Sequence, residues 1–150
     1  MKYNSEKIIF DCVEYDPNAI SYASELCREF LPQITFNRAN AFKFKTDRKY
    51  ELIWSAGLFD YFNDKRFKFL LKCLYSFLAP GGELVIGNFS ENNPTRNYME
   101  ILGDWILHHR SKKLLINLAE ECGVSPDSIR VGEEAEGINL FLHITKPSES

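Results

Sequence analysis

Two kinds of hydrophobic pattern alternate along this chain. Residues 8–13 form an apolar run broken only by Asp11, which is typical of a strand covered on both faces. Short apolar runs at residues 50–56 and 83–89 predict further strands, as does the segment 33–39. Between them, a stripe with spacings of three and four predicts a long helix with one buried side, formed by Phe67, Leu70, Leu71, Leu74 and Leu78.

The predicted helices begin at residues that are suited to capping. Asp16 precedes Pro17 at the start of a first helix that Pro32 is expected to end, and Asn63 or Asp64 caps the long helix. A third helix is predicted from about Pro94 to His109, and a fourth from Ser111 to Cys122 before Gly123.

The order of these elements predicts the fold class. Strands and helices alternate, which favours an α/β fold with a doubly wound, mostly parallel sheet. The last two strands, residues 129–131 and 138–145, are joined by a short acidic turn and are expected to pair antiparallel, giving an antiparallel C-terminal edge strand. One domain over residues 1–146 holds all the elements, and residues 147–150 are expected to fray.

Composition excludes several classes of function. The formal net charge of -3 gives no general attraction to nucleic acid. The four cysteines are far apart in sequence, so they form no metal or redox motif and are interpreted as buried small hydrophobes in a reducing compartment. No leader and no apolar run near the ~20 residues of a membrane span is seen. We therefore expect a cytoplasmic protein with no metal.

Three segments resemble the class I S-adenosylmethionine-dependent methyltransferases from their second strand onward. "VEYDPNAISYA" is similar to the second strand and helix, "YELIWSAGLFDYF" to the fourth strand and its loop, and "LAPGGELVIGNF" to the turn and fifth strand. The resemblance implies a Rossmann-like fold, S-adenosyl-L-methionine as the cofactor and methyl transfer as the reaction.

A narrower resemblance concerns the acceptor. "AGLFDYF", "GNF", "NPTRNYME" and "DW" are similar to a bacterial subgroup, some members of which form methyl esters of hydroxy fatty acids. This resemblance implies a small-molecule or lipid-like acceptor that is O-methylated on a carboxylate. Because a carboxylate is already ionised at pH 7, no general base is needed, and no catalytic residue is assigned.

The resemblance also implies which residues bind the cofactor. Glu14 holds the ribose hydroxyls through a bidentate contact, and Asn40 hydrogen-bonds the adenine amino group. The strand ends that carry these residues and Gly57 are expected to share the carboxyl edge of the sheet, where such folds bind ligands. The full expected set is Glu14, Tyr15, Asn40, Ala41, Ser55, Ala56 and Gly57.

The predicted third helix is expected to form the acceptor side of the site. Glu100, Asp104 and His108 are four residues apart and would share one helix face. Three interpretations stay open: a polar wall in which Asp104 orients His108 as a base, a face of metal ligands, or a solvated face with salt links to Arg96 and Arg110. Tyr98 and Trp105, seven apart, would share a face over the end of "GNF". The expected acceptor residues are Asn88, Tyr98, Asp104, Trp105 and His108.

The glycine-rich loop of the family and its first strand are not recognised in this sequence. In the family that strand lies between the strands matching residues 8–13 and 50–54, so the fold is expected to be incomplete at its N-terminus, with a slot in the sheet. A homodimer, or completion by a missing N-terminal segment, would fill it. The alternative function is a non-enzymatic binding or scaffold protein with a degenerate methyltransferase fold. A dehydrogenase is disfavoured, because its cofactor motif would lie in the same loop.

Overall fold

A computed structural model describes residues 8–148, which form two compact units divided between Thr46 and Asp47. Each unit has its own sheet, one of two strands and one of four. In the described residues the strand at the start of the chain pairs only within the first sheet. No helix of the described part combines the length and apolar character that a membrane crossing needs.

The first unit consists of β1 (Phe10–Glu14), α1 (Pro17–Leu26) and β2 (Ile34–Arg38). β1 and β2 are parallel, and Glu14 lies opposite Arg38. The cap of α1 is as predicted, since the Asp16 side chain accepts a hydrogen bond from the Asn18 amide and Pro17 takes the first helical position.

Two expectations about this unit were wrong. α1 ends at Leu26, and Pro32 lies within a separate 3-10 helix rather than ending α1. β1 is not covered on both faces, because a two-stranded sheet with a single helix leaves Phe10 and Val13 exposed. The four cysteines of the chain are free thiols and only half-buried.

The second unit contains a mixed four-stranded sheet with the strand order β3-β4-β6-β5. β3 is parallel to β4, whereas β6 is antiparallel to both of its neighbours. The antiparallel pairing of the last two strands is confirmed. β5 is the edge strand of the sheet, and β6 lies between β5 and β4. Its elements are β3 (Tyr50–Ser55), α2 (Asp64–Phe77), β4 (Leu78–Phe89), α3 (Arg96–Leu102), α4 (Lys112–Glu120), β5 (Ile129–Glu133) and β6 (Asn139–Thr145).

The core of this unit lies between one face of the sheet and the helices α2 and α4. Alternate residues of β6 are buried on that face, as the two-residue period of a strand requires. The predicted stripe of α2 is confirmed at Phe67, Leu70 and Leu71, but Leu74 is half-buried and Leu78 lies after the helix, as the first residue of β4. The core side chains include Phe67, Leu70, Leu71, Leu84, Ile86, Leu115, Leu118, Leu140, Leu142 and Ile144.

Gly81 and Gly82 lie within β4, where its pairing with β3 shifts register. Gly81 has a φ of 76°, in the left-handed region that favours glycine. A Cβ on Gly82 would lie 2.7 Å from the carbonyl oxygen of Tyr50, so only glycine lets the two strands meet here.

The predicted helix over residues 94–109 was wrong in length, because α3 ends at Leu102. Asp104 adopts a φ of 46°, which turns the chain out of the helix. The amides of Gly103 and Trp105 both donate to the carbonyl oxygen of Met99, at 3.1 and 3.0 Å. The next helix, α4, begins as predicted, with the Ser111 hydroxyl accepting from the Leu114 amide.

The early end of α3 corrects the expected helix faces. Asp104 and His108 lie beyond the helix, so Glu100, Asp104 and His108 do not form a helical row. Tyr98 and Trp105 do not share a helix face for the same reason. The metal interpretation depended on that row, and residues 8–148 hold no group of three His, Cys, Asp or Glu side chains arranged for a metal ion.

Candidate functional site

In the first unit, two of the expected cofactor residues lie at the carboxyl ends of the parallel strands. Glu14 is the last residue of β1, and its carbonyl oxygen accepts from the Ala39 amide at 3.0 Å. Asn40 follows β2 by two residues. The expectation that Glu14 and Asn40 lie at one edge is therefore confirmed within this unit.

Backbone amides hold the Glu14 carboxylate at the strand tip. Its Oε1 atom accepts hydrogen bonds from the amides of Tyr15, at 2.6 Å, and Asp16, at 2.9 Å. These two bonds fix the orientation of the carboxylate. The Tyr15 ring beside it is exposed.

The loop after β2 is ordered by Asn40. The side-chain Oδ1 atom accepts from the Phe42 amide at 2.9 Å, and the carbonyl oxygen accepts from the amides of Lys43 and Phe44. The Asn40 side chain stays exposed and Ala41 is half-buried. The amide thus lies on the surface, where a ligand can reach it.

In the second unit, the chain leaves β3 through Ser55, Ala56 and Gly57. Gly57 has a φ of 74°, and apart from its chain neighbours no atom of residues 8–148 lies within 4 Å of the place that a Cβ would take. β4 passes close to this segment, since a Cβ on Gly87 would lie 3.3 Å from the Ala56 Cα. The backbone at Gly57 is therefore open to a close approach by a ligand.

Asp60 joins this loop to β4 and to the segment before α4. The side chain is only 2% exposed, and its Oδ1 atom accepts from the Phe89 amide at 2.6 Å. Its carbonyl oxygen accepts from the His108 amide at 2.7 Å. Burial raises the pKa of the Asp60 carboxyl, while the Phe89 amide and the Arg110 charge act in the opposite direction.

A buried arginine forms the centre of this region. Arg110 is 1% exposed, and its Nε and Nη2 atoms donate to Asp64 Oδ1 at 3.1 and 2.9 Å. Nη1 donates to Asn88 Oδ1 at 2.7 Å and to the Phe59 carbonyl at 3.3 Å, and Nη2 also donates to the Phe62 carbonyl. One side chain thus binds the loop after β3, the start of α2 and the end of β4.

Sequence reasoning missed the role of this arginine. It placed Arg110 beside Glu100 and Asp104 on a long helix, whereas the structure pairs it with Asp64. Its guanidinium also lies 4.6 Å from the centre of the Phe67 ring. The only available signal was a cation directly before the capping Ser111.

Asn88, an expected acceptor residue, is also buried in this network. It is 1% exposed, and its Nδ2 atom donates to the carbonyl oxygens of Phe89 and His108, at 2.9 and 3.0 Å. Its Oδ1 atom accepts from Arg110. The Asn88 amide therefore bonds within the protein at the end of β4.

The other expected acceptor residues lie near the surface. The Trp105 indole packs edge-to-face on Phe89, with ring centres 6.3 Å apart. Asp104 and His108 are exposed, and Glu100 forms an ion pair with Arg96 at 2.7 Å. Exposed apolar side chains surround this segment and form the apolar surface of the second unit, comprising Tyr61, Tyr98, Ile101, Leu102, Trp105 and Ile106.

The family is shown by a match to the model of the methyltransferase domain over residues 3–82, just over half of the chain. The chain belongs to this methyltransferase family. No curated protein matches it significantly. The match covers the three strand ends that carry the expected cofactor residues, from Glu14 to Gly57.

Solved structures show the same fold at low identity. A possible exported protein from Bordetella parapertussis has a TM-score of 0.76 at 22% identity, over 93% of this chain and 54% of its own. The N-methyltransferase NodS from Bradyrhizobium japonicum, in complex with S-adenosyl-L-homocysteine, has a TM-score of 0.66 at 18% identity. The match covers 93% of this chain and 67% of NodS. Magnesium protoporphyrin IX methyltransferase from Synechocystis, also with bound S-adenosyl-L-homocysteine, has a TM-score of 0.70 at 13% identity. The match covers 92% of this chain and 64% of that protein. The chain thus spans about half to two thirds of these proteins.

Proposed function

We propose that this chain is part of an S-adenosylmethionine-dependent methyltransferase. The observation that carries the proposal is the pair of polar side chains, Glu14 and Asn40, at the carboxyl edge of parallel strands in a methyltransferase domain. Ligands of open α/β sheets bind at that edge. The cofactor supplies a methyl group on a sulfonium, which makes the reaction an in-line displacement governed by alignment.

The chemistry of the residues present fits this cofactor. The Glu14 carboxylate is oriented by two backbone amides and would accept the two ribose hydroxyls. The exposed amide of Asn40 would hydrogen-bond the adenine amino group. Tyr15, next to Glu14, and Ala41, next to Asn40, complete this part of the proposed site. The open backbone at Gly57, with Ser55 and Ala56, receives the methionine part.

The acceptor is a small or lipid-like molecule, with a carboxylate as the proposed methylated group. The exposed side chains of the apolar surface of the second unit, two of which, Trp105 and Tyr61, are joined by a hydrogen bond, support an acceptor with an apolar portion. We propose that the acceptor side of the site is lined by Tyr98, Asp104 and His108. The buried Asn88 supports this side from the end of β4. A carboxylate requires no base at neutral pH, so none of these residues needs to remove a proton.

Titration calorimetry with S-adenosyl-L-homocysteine tests the cofactor assignment. We expect the chain to bind this product, and Glu14→Gln to weaken binding by a factor of about 10–100, as the loss of a charged hydrogen-bond acceptor implies. Glu25→Gln is the matched control, because Glu25 is an exposed acid on α1 of the same unit. Equal binding by the wild type and Glu14→Gln would contradict the role of Glu14.

The alternative function gives a different result. A folded chain that binds no S-adenosyl-L-homocysteine would favour a non-enzymatic binding or scaffold protein. If binding is found, incubation with methyl-labelled cofactor and long-chain carboxylic acids tests the acceptor. We expect the labelled methyl group in a base-labile ester of the carboxylic acid. A labelled methyl group found only on acceptors with an amine group would contradict O-methylation.

A further inference from the structure

We propose that Arg110 is a positioning residue that fixes the loop at residues 57–62 against the end of β4. This inference rests on the proposed function, because that loop begins at Gly57, which we assign to the methionine part of the cofactor. Arg110 lies 53 positions further along the chain and outside all the segments that carry the resemblance. The role follows from where its hydrogen bonds go.

The guanidinium of Arg110 has no donor left for a ligand. A guanidinium carries five N–H groups. Nε–H donates to Asp64, the two N–H groups of Nη2 donate to Asp64 and the Phe62 carbonyl, and those of Nη1 donate to Asn88 and the Phe59 carbonyl. Arg110 therefore acts through the segments it holds and not by contact with the reacting groups.

The acceptors of Arg110 lie at the two ends of the region to be fixed. Phe59 and Phe62 belong to the loop, and Asp64 begins α2 directly after it. Asn88 is the next-to-last residue of β4, at the same edge of the sheet as Ser55. The loop is thus tied to the strand beside it at several points.

A second link makes the arrangement specific. Asp60 binds the Phe89 amide through its side chain and the His108 amide through its carbonyl oxygen. The segment that precedes Arg110 therefore carries the acceptor-side His108 and is held to the cofactor-side loop. A movement of the loop at residues 57–62 would break the bonds of Asp60 and those of Arg110 together. We therefore expect the cofactor side and the acceptor side of the site to be positioned jointly.

The geometry requires arginine and not merely a positive charge. A lysine ammonium has three donors at one point and cannot reach acceptors arranged around a planar fork. Arg110 is 1% exposed whereas its partner Asp64 is 52% exposed, so the ion pair alone does not explain why the arginine is buried, and the geometry that it imposes explains it better. Arg110→Lys is therefore the informative substitution.

Amide hydrogen exchange of the full chain tests the positioning role. We expect Arg110→Lys to increase exchange at residues 57–62 and at the amides of Phe89 and His108 at least tenfold. Leu71→Ala is the control, since Leu71 is buried in α2 and its loss lowers global stability without removing these bonds. Asp64→Asn neutralises one partner of Arg110 and should give a smaller increase in exchange at the same amides. This variant replaces Arg110→Lys as the test if Arg110→Lys does not fold.

Binding of S-adenosyl-L-homocysteine separates positioning from plain stability. Arg110→Lys should weaken binding at least tenfold, while Leu71→Ala should remain within about twofold of the wild type. Equal effects of both variants on binding, or exchange in the loop that rises no more than in Leu71→Ala, would overturn the proposal. If the wild type itself binds no S-adenosyl-L-homocysteine, the proposed function fails, and the exchange comparison still decides whether Arg110 fixes the loop.

Discussion

The indole N–H of Trp105 donates a hydrogen bond of 3.0 Å to the hydroxyl oxygen of Tyr61. The bond joins the turn after α3 to the loop after β3, which lie 44 residues apart in the chain. Both rings remain partly exposed. Two aromatic side chains that sequence reasoning did not pair thus meet at the edge where the site is expected, and their contact can be tested directly.

Replacing Tyr61 with phenylalanine should release the indole of Trp105. The substitution removes the acceptor and keeps the ring, so we expect the free energy of unfolding to fall by no more than about 1 kcal/mol. The indole N–H of Trp105 should exchange faster with solvent, which NMR can follow. Trp54, which stacks on Phe141, is an internal control whose indole should not respond. Unchanged exchange at Trp105 would contradict the hydrogen bond.

Replacing Trp105 with alanine should impair turnover more than stability. Because the side chain is 44% exposed, we expect unfolding to become easier by only about 1–2 kcal/mol, below the cost for a fully buried tryptophan. Methyl transfer by an active enzyme form should fall at least tenfold if Trp105 lines the acceptor side. Turnover that falls only in step with stability would support a plain packing role instead.

The sequence predicted regular elements well where local signals and the hydrophobic period agreed. The caps at Asp16, Asn63 and Ser111 were all confirmed. The end of α3 was not predicted, since Ile101 and Trp105 continue a helical spacing beyond the turn. The residue in the left-handed region is Asp104, whereas the neighbouring glycine has an ordinary φ.

The buried polar network could not be read from the sequence for another reason. Asp60 lies among aromatic residues, and Arg110 lies among histidines and leucine, so neither has a partner nearby in the chain. Their contacts are long-range, with Asp64 and Asn88 lying 46 and 22 residues from Arg110. Only the folded sheet edge brings these groups together, and no local pattern carries that information.

Replacing Asp104 with glycine should stabilise the chain. A non-glycine residue in the left-handed region costs about 1–2 kcal/mol, which glycine largely avoids. Thermal or denaturant unfolding should therefore show a gain of up to about 1 kcal/mol. Asp104→Ala is the paired variant and should be less stable than Asp104→Gly, because alanine keeps the strain. If the two variants were equally stable, the backbone conformation would have to differ in solution.

Replacing Asp60 with asparagine should alter how stability depends on pH. Burial raises the folded-state pKa of Asp60, so the folded protein holds this proton more tightly than the unfolded chain. As the pH rises from about 4, the unfolded side chain ionises first, and the contribution of Asp60 to stability falls until the folded-state pKa is passed.

Denaturant unfolding at pH 4 to 7 measures this effect. Asparagine keeps an oxygen acceptor for the Phe89 amide and does not ionise, so the variant should become more stable relative to the wild type as the pH rises. Asp127→Asn, in an exposed turn of the same unit, is a control for the removal of one carboxylate. A difference between Asp60→Asn and the wild type that stays constant over this range would contradict the raised pKa.

The chain alone should self-associate through exposed apolar side chains of its strands. Ile9 and Phe10 are exposed at the start of the first unit, and Leu52 and Trp54 are exposed on β3 of the second. Burying such groups yields about 25 cal/mol per Å² of apolar surface, which favours a homodimer at high concentration. The sedimentation coefficient should therefore rise with protein concentration.

Variants of the strand side chains identify the surface responsible. Leu52→Gln combined with Trp54→Gln should shift the chain toward the monomer, whereas Ile101→Gln, at a still more exposed position on α3, should not. Completion by a further N-terminal segment is the competing arrangement, and supplying a strand with a glycine-rich loop would then abolish association and strengthen S-adenosyl-L-homocysteine binding. Sedimentation as a monomer at every concentration would contradict self-association, because these side chains would then be tolerated in water.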